Sequence, residues 1–132
     1  NRSSMEEKAD EMILAHDIRS GQGKNTIVRS MSGGNQQKII IAREIEADSD
    51  LMIFMQPTRG VDIGAIENIR RQMIAERDKG KAILLISLEL DEVMSCADTI
   101  GVIYSGQLLK TAPADSMDEQ EIGQYMMGVK RV

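Results

Sequence analysis

The sequence has few aromatic residues and no means of forming an internal disulfide. Its 132 residues include no tryptophan, one phenylalanine and two tyrosines. The ten methionines and the many aliphatic residues must therefore fill the interior, which predicts an aliphatic core. Cys96 is the only cysteine, and a chain without a disulfide fits a reducing compartment.

Basic charge, histidine and long apolar runs are also scarce. The 21 acidic and 16 basic residues leave a net charge of -5, whereas binding to a phosphate backbone needs clustered positive charge, so we expect no nucleic-acid partner. A single histidine excludes a histidine-based metal cluster, and we predict no metal site. No apolar run is long enough to cross a bilayer, and the polar N-terminus does not resemble a signal peptide. Any contact with a membrane is therefore expected to occur through a partner.

Strand and helix patterns alternate along the chain. Leu51–Met55 and Ala82–Ile86 are continuous apolar runs of strand length, which predicts strands covered on both faces, as in a parallel sheet. Ser105 and Gly106 predict a two-residue hairpin turn between two further strands. Ser4 is predicted to cap a first helix, and a loop with short extended pieces is predicted at 17–30. The helix at 63–78 should face inward through Ile63, Ile66, Ile69 and Met73. The predicted helices are 4–16, 32–47, 63–78, 89–95 and 118–127. The alternation predicts an α/β fold, with a parallel core and an antiparallel edge.

One predicted helix begins with a motif suited to an anion, composed of Ser32, Gly33, Gly34, Asn35 and Gln36. The first N–H groups of a helix lack internal partners, and the helix dipole is positive at this end. Two glycines allow a phosphate to approach the backbone, while a hydroxyl and the side-chain amides offer further neutral donors. An ordinary helix cap with a flexible glycine pair would also explain the tripeptide Ser-Gly-Gly taken alone.

The order of the following motifs adds a family resemblance. The segment 32–38 (SGGNQQK), a helix, a buried strand and then the segment 56–62 (QPTRGVD) resemble the signature, Walker B and D-loop series of ABC ATPases. The segment 84–93 is similar to their switch region. The details of these motifs, together with the ending at 121–128, resemble the second cassette of the double-cassette importers of ribose, galactosides and nucleosides. The resemblance covers nearly the whole chain from about Ala9 onward.

The resemblance implies the C-terminal part of a P-loop NTPase fold. Residues 1–47 would be the end of the ABC helical subdomain with its signature motif. Residues 48–132 would be the C-terminal half of the nucleotide-binding core. The phosphate-binding Walker A loop is not found, because Ile18 stands where the pattern around Lys24 needs its first glycine, and Asn25 follows that lysine. We expect that loop upstream, so the isolated chain should be inactive and should hold no bound ATP.

Three positions that carry out hydrolysis in the family are replaced. Met55 and Gln56 stand where the family has the Asp that helps to hold Mg²⁺ and the Glu that activates water, and Leu88 replaces the switch histidine. A thioether does not suit Mg²⁺, a neutral amide cannot act as a base, and leucine offers no polar contact. The resemblance therefore implies that this cassette has a degenerate site of its own.

The signature residues 32–36 are intact, and Asp62 occupies the D-loop position, where it also suits the N-cap of the next helix. By resemblance, this half would complete the ATP site of the other cassette, which lies upstream in the same chain. The full-length protein would bind ATP and Mg²⁺ and act as an ATPase that drives transmembrane permease subunits. It would serve a substrate-binding protein indirectly, at the cytoplasmic face of a bacterial-type membrane.

Two other functions stay open at the level of sequence. A soluble ABC ATPase that has no role in transport would share the same motifs, although the acidic balance and the Asn-Gln-Gln-Lys extension speak against it. A non-enzymatic regulatory or docking module would explain the missing Walker A loop and the replaced Walker B residues. The sequence upstream of this chain would distinguish the importer, the soluble ATPase and the docking module.

Overall fold

The computed structural model describes residues 2–130 and shows an α/β chain that divides into two compact units, Asn1–Leu84 and Leu85–Val132. The first unit contains helices α1 (Arg2–Ala15), α2 (Gly33–Glu46) and α3 (Ile63–Asp78) and strand β1 (Leu51–Met55). Strand β2 (Ala82–Ile86) begins in this unit and pairs with β1 in a two-stranded sheet. The pair is parallel, so α3 forms the crossover that two parallel strands require.

The predicted bounds of α3 and of both strands are confirmed, and α2 lies within the predicted range. The start of α1 was predicted wrongly. The helix begins at Arg2, which places Ser4 in its first turn and not at its N-cap. Residues 17–30 form a loop as predicted, with extended backbone at Thr26 and Ile27 between two 3-10 turns that the prediction did not include. Local side chains support these turns: Thr26 Oγ accepts from the Gln22 N–H at 2.8 Å, and Ser30 Oγ donates to the Ile27 carbonyl at 2.7 Å.

The core of the first unit lies between α2, α3 and one face of β1. Its buried apolar residues are Ile18, Ile41, Ala42, Met52, Phe54, Ala65, Ile69 and Met73. The predicted inward face of α3 was wrong at its start, because Ile63 is 78% exposed and Ala65 is buried instead. Ile63 lies about 120° around the helix from Ile69, whereas Ala65, Ile69 and Met73 follow the four-residue spacing of a single face.

The strands are not covered on both faces within the described residues, contrary to the prediction. In β1 the buried residues Met52 and Phe54 alternate with Leu51, Ile53 and Met55, which are more than half exposed. Successive side chains of a strand point to opposite faces, and only one face of β1 has a neighbouring layer in this part of the chain.

The second unit contains α4 (Leu90–Cys96), an antiparallel hairpin of β3 (Thr99–Tyr104) and β4 (Gln107–Pro113), and α5 (Glu119–Met126). The predicted turn is confirmed: Ser105 and Gly106 have φ of 49° and 78°, the left-handed pair that a two-residue hairpin favours. Ile100, Val102, Met117 and Ile122 form its apolar core. Asp118 caps α5 as predicted, because its side chain accepts from the Glu121 N–H at 2.7 Å.

A buried carboxylate joins three segments of the first unit. The side chain of Glu76 is 3% exposed and lies 2.6 Å from Lys79 Nζ and 2.7 Å from Lys81 Nζ. Lys81 also contacts Asp48 at 2.7 Å, so the end of α3, the start of β2 and the turn after α2 meet at one charge network. Burial opposes ionisation of Glu76, but the hydrogen bonds from the two lysines outweigh it and lower its pKa below the ordinary value of 4.5.

The stability of the fold should therefore depend on the charge of Glu76. Since the folded pKa is lowered, the stabilisation is fully present above pH 4.5 and is lost as the pH falls through the lowered value. Glu76→Gln removes this titration, so its free energy of unfolding should fall less than that of the wild type between about pH 7 and about pH 3. Urea unfolding across this range measures the effect, with Glu67→Gln on the exposed side of the same helix as the control. Parallel curves for wild type and Glu76→Gln would contradict the prediction.

Candidate functional site

The start of α2 is open to solvent and is capped from within. Ser32 has an extended backbone, and its Oγ accepts from the Asn35 N–H at 3.4 Å and from Asn35 Nδ2 at 2.9 Å. Ser32 and Gly33 are exposed. The N–H groups of Gly33 and Gly34 have no partner within the helix, as is general for the first residues of an α-helix. Together with the positive end of the dipole, this start suits an anion.

The side-chain amides near this start face the protein. Asn35 Oδ1 accepts from the Arg19 N–H at 2.8 Å, and Gln36 Nε2 donates to the Met31 carbonyl at 2.8 Å. In this structure the two amides therefore hold the loop that precedes α2. The groups that the helix start presents to solvent are the Ser32 hydroxyl and the backbone of Gly33.

A lysine of the second turn of α2 fixes the start of the segment that follows α1. Lys38 Nζ donates to the Asp17 carbonyl at 2.7 Å and to Asp17 Oδ2 at 3.0 Å. The hydrogen bond from Lys38 holds the pKa of the Asp17 carboxyl below its usual range. The charge of Lys38 is thus directed toward Asp17.

The two glycines of the motif have different surroundings. A Cβ on Gly33 would meet only the Gly60 carbonyl oxygen, at an ordinary 3.6 Å. Gly34 is buried, and a Cβ there would lie 3.2 Å from Asp62 Oδ2 and 3.7 Å from the Ala65 Cβ. The missing side chain of Gly34 is therefore explained by the close approach of α2 to the start of α3. Only Gly33 lies beside open space.

The turn after β1 carries Met55 and Gln56, the residues that the sequence resemblance predicts at the hydrolytic positions. Met55 ends the strand and is 69% exposed, and Gln56 has φ of 50°, a left-handed conformation that costs a non-glycine residue about 1 kcal/mol. Pro57 and Thr58 are buried behind it. A thioether and a neutral amide at the end of this strand do not fit the oxygen ligands that Mg²⁺ requires. Among residues 2–130, no group of three or more His, Cys, Asp or Glu side chains is arranged to hold a metal ion.

Asp62 and Gln37 connect this turn to the helices. Asp62 Oδ1 accepts from the Ala65 N–H at 3.0 Å and so caps α3, while Oδ2 faces Gly34. Gln37 Nε2 donates to the Pro57 carbonyl at 2.9 Å. Sequence reasoning did not select Gln37. The sequence signal that could have selected Gln37 was its position directly after the motif, one helical turn beyond Gly34.

The structure brings residues 32–36 together with the segment 56–62 in the first unit. Leu88 belongs to the second unit, where it is 74% exposed between β2 and α4. It is the central residue of a local turn in which Ser87 Oγ accepts from the Glu89 N–H at 3.0 Å. Within residues 2–130, no helix is long and apolar enough to span a membrane.

Alanine substitution at the two glycines should have different effects. Gly34→Ala must displace the Asp62 carboxylate and weaken the cap of α3, whereas Gly33→Ala meets no such contact. Both positions lie in the first turn of the same helix, so their intrinsic helix preference largely cancels in the comparison. We expect Gly34→Ala to be less stable than Gly33→Ala by about 1 kcal/mol, the value of a typical cap. Urea unfolding of the two variants measures the difference, and equal stabilities would contradict the contact.

Comparison with known proteins finds relatives of this chain among import ATP-binding proteins. The chain is 44% identical over 128 residues to the guanosine import ATP-binding protein NupO of Bacillus subtilis (strain 168), covering 97% of this chain and 25% of that protein. It is 48% identical over 120 residues to the nucleoside import ATP-binding protein NupA of Lactococcus lactis subsp. cremoris (strain MG1363), covering 91% and 24%. The chain thus spans about a quarter of the length of these curated relatives. No family model matches it.

Solved structures agree with the fold. The ATP-binding subunit of an ABC transporter matches with a TM-score of 0.76 and 20% identity, over 96% of this chain and 55% of that one. A nucleotide-free ATP-binding cassette from an ABC transporter matches with a TM-score of 0.70 and 23% identity, over 92% and 46%. The fold and the sequence relatives together identify this chain as a segment homologous to the nucleoside and sugar import ATP-binding proteins, with the P-loop NTPase fold of an ABC ATPase cassette.

Proposed function

We propose that this chain is part of the ATP-binding subunit of an ABC importer for a nucleoside or a simple sugar. In this role, the start of α2 completes the ATP site of the partner cassette. The observation that carries the proposal is the open helix start at Ser32 and Gly33, in a chain whose relatives are named as nucleoside import ATP-binding proteins. Bound ATP would supply the phosphate that this helix start contacts. Ser32 and the free N–H groups would then stabilise its negative charge.

The ATP site that contains Met55, Gln56 and Leu88 of this chain is proposed to be unable to hydrolyse ATP, and we call it the silent site. Met55 and Gln56 give the end of β1 neither a carboxylate for Mg²⁺ nor a base for water, and Leu88 adds no polar group. Residues 32–36 and Asp62 would act at the interface with the partner cassette. ATP hydrolysis with Mg²⁺ would then take place at the site for which this chain supplies only the helix start.

The proposed partners follow from the different roles of the two ATP sites. The second cassette is expected upstream in the same full-length protein. The two cassettes together would drive transmembrane permease subunits. Residues 1–47 would belong to the helical subdomain and residues 48–132 to the nucleotide-binding core. A position at the cytoplasmic face of the membrane, reached through the permease, accords with this arrangement.

Obstruction of the helix start should stop the full-length transporter. Ser32→Arg places a long charged side chain where a phosphate must approach, and loss of such preorganised donors typically reduces rates by about a hundred- to a thousandfold. Met55→Ala should leave turnover close to that of the wild type, since Met55 holds no ion and its exposed side chain makes truncation inexpensive. ATPase activity of the reconstituted transporter measures both effects.

A further control separates obstruction from loss of the cap. Ser32→Ala removes the acceptor for Asn35, which costs about 1 kcal/mol of stability, without blocking the helix start. It should retain more activity than Ser32→Arg. Near-normal ATPase activity of well-folded Ser32→Arg would refute the role in the partner's site.

The isolated chain should not bind ATP tightly. A helix start exposed to water binds anions weakly, and no Walker A pattern is present in the 132 residues. Titration calorimetry with Mg-ATP should therefore give no transition at low micromolar concentration. A micromolar dissociation constant for the pure chain would show that it contains a complete nucleotide site.

A further inference from the structure

The turn after β1 is held in an unfavourable conformation. Gln56 adopts φ of 50°, which favours glycine, and the hydrogen bonds within the turn are long. The Arg59 N–H lies 3.2 Å from the Gln56 carbonyl, and the Val61 N–H lies 3.4 Å from that of Thr58. A left-handed glutamine persists only where its surroundings fix it.

A shorter hydrogen bond reaches this turn from α2. Gln37 Nε2 donates to the Pro57 carbonyl at 2.9 Å, directly beside Gln56. Pro57 is fully buried and its ring fixes its own φ, so the bond acts on a rigid residue. Gln37 therefore fixes the first part of the turn.

The last part of the turn meets the same helix. The Gly60 carbonyl oxygen lies 3.6 Å from where a Cβ on Gly33 would be, and Asp62 Oδ2 lies only 3.2 Å from where a Cβ on Gly34 would be. The turn is thus held against α2 at both ends, by a hydrogen bond at Pro57 and by close packing at Asp62. The first two turns of α2 include both these contacts and the open start at Ser32.

We propose that Gln37 is a positioning residue that couples the open start of α2 to the turn 56–62. A ligand that moves or fixes the helix start would, through Gln37, move or fix Pro57 and the adjoining Gln56. The inference rests on the proposed function, because that function places a nucleotide at Ser32. It adds a path by which occupation of the partner's ATP site is transmitted to the silent site of this chain.

Hydrogen exchange of the full-length transporter, with and without Mg-AMPPNP as the probe, tests the coupling. In the wild type, the nucleotide should protect the backbone N–H groups at the start of α2 and those of residues 58–62. In Gln37→Met, which keeps the side-chain length but removes the donor, the helix start should stay protected while residues 58–62 lose most of the nucleotide-dependent protection. Gln37→Asn keeps the amide but shortens its reach, so it should behave in the same way and serves as a second variant if Gln37→Met folds poorly.

Turnover provides a second readout. The kcat and KM for ATP should each change less than about twofold in Gln37→Met, because hydrolysis is proposed at the partner's site and the helix start that serves this site is retained. A roughly tenfold loss of kcat would show that Gln37 acts on the helix start itself and would overturn the proposed coupling. Gln72→Met, which removes a partly buried glutamine of α3 with hydrogen bonds to His16 and Asn68, is the matched control and should keep both kcat and the exchange response.

The outcomes distinguish a failure of the proposed function from a failure of the coupling through Gln37. If the nucleotide fails to protect the start of α2 in the wild type, the proposed function is wrong. If it protects both the helix start and residues 58–62 in wild type and Gln37 variants alike, the proposed function stands and the coupling through Gln37 is wrong.

Discussion

The close approach of α2 to the start of α3 is the contact on which the candidate site depends. Gly34 leaves room for the Asp62 carboxylate, and that carboxylate uses its other oxygen to cap α3. A larger residue at position 34 would separate the two helix starts, and with them the open end of α2 and the turn after β1. One absent side chain thus fixes the relative position of two motifs that lie more than twenty residues apart in sequence.

Held in this way, the chain presents groups that suit an anion at the start of α2 and groups unsuited to hydrolysis at the end of β1. Ser32 and Gly33 are open to solvent, while Met55 and Gln56 offer no carboxylate. Gln56 adopts a left-handed backbone although its side chain carries no base. Conformation and chemistry are separable here, since the backbone is fixed by contacts of Pro57 and Asp62 and not by the side chain of Gln56.

The outer face of β1 sets a second constraint. Leu51, Ile53 and Met55 are more than half exposed, although such residues are normally covered in a parallel sheet. The chain spans about a quarter of its curated relatives and about half of the solved cassettes that share its fold. The apolar composition of β1 therefore agrees with that of a strand in a sheet larger than the one that the described residues form.

The sequence by itself determined the element order, most helix and strand bounds and the family resemblance. Apolar runs, helix caps at Ser32, Asp62 and Asp118, and the turn at Ser105 and Gly106 are local signals, and the structure contains each of them. Only the tertiary structure decided which face of each element is buried. Ala65 replaces Ile63 in the core, and the charged Glu76 is buried because Lys79 and Lys81 reach it. It also decided that Gly34 accommodates Asp62, that the amides of Asn35 and Gln36 turn inward, and that Gln37 binds Pro57. The physical reason is that caps and turns depend on neighbours within a few residues, whereas burial and side-chain partners depend on contacts between segments distant in the chain.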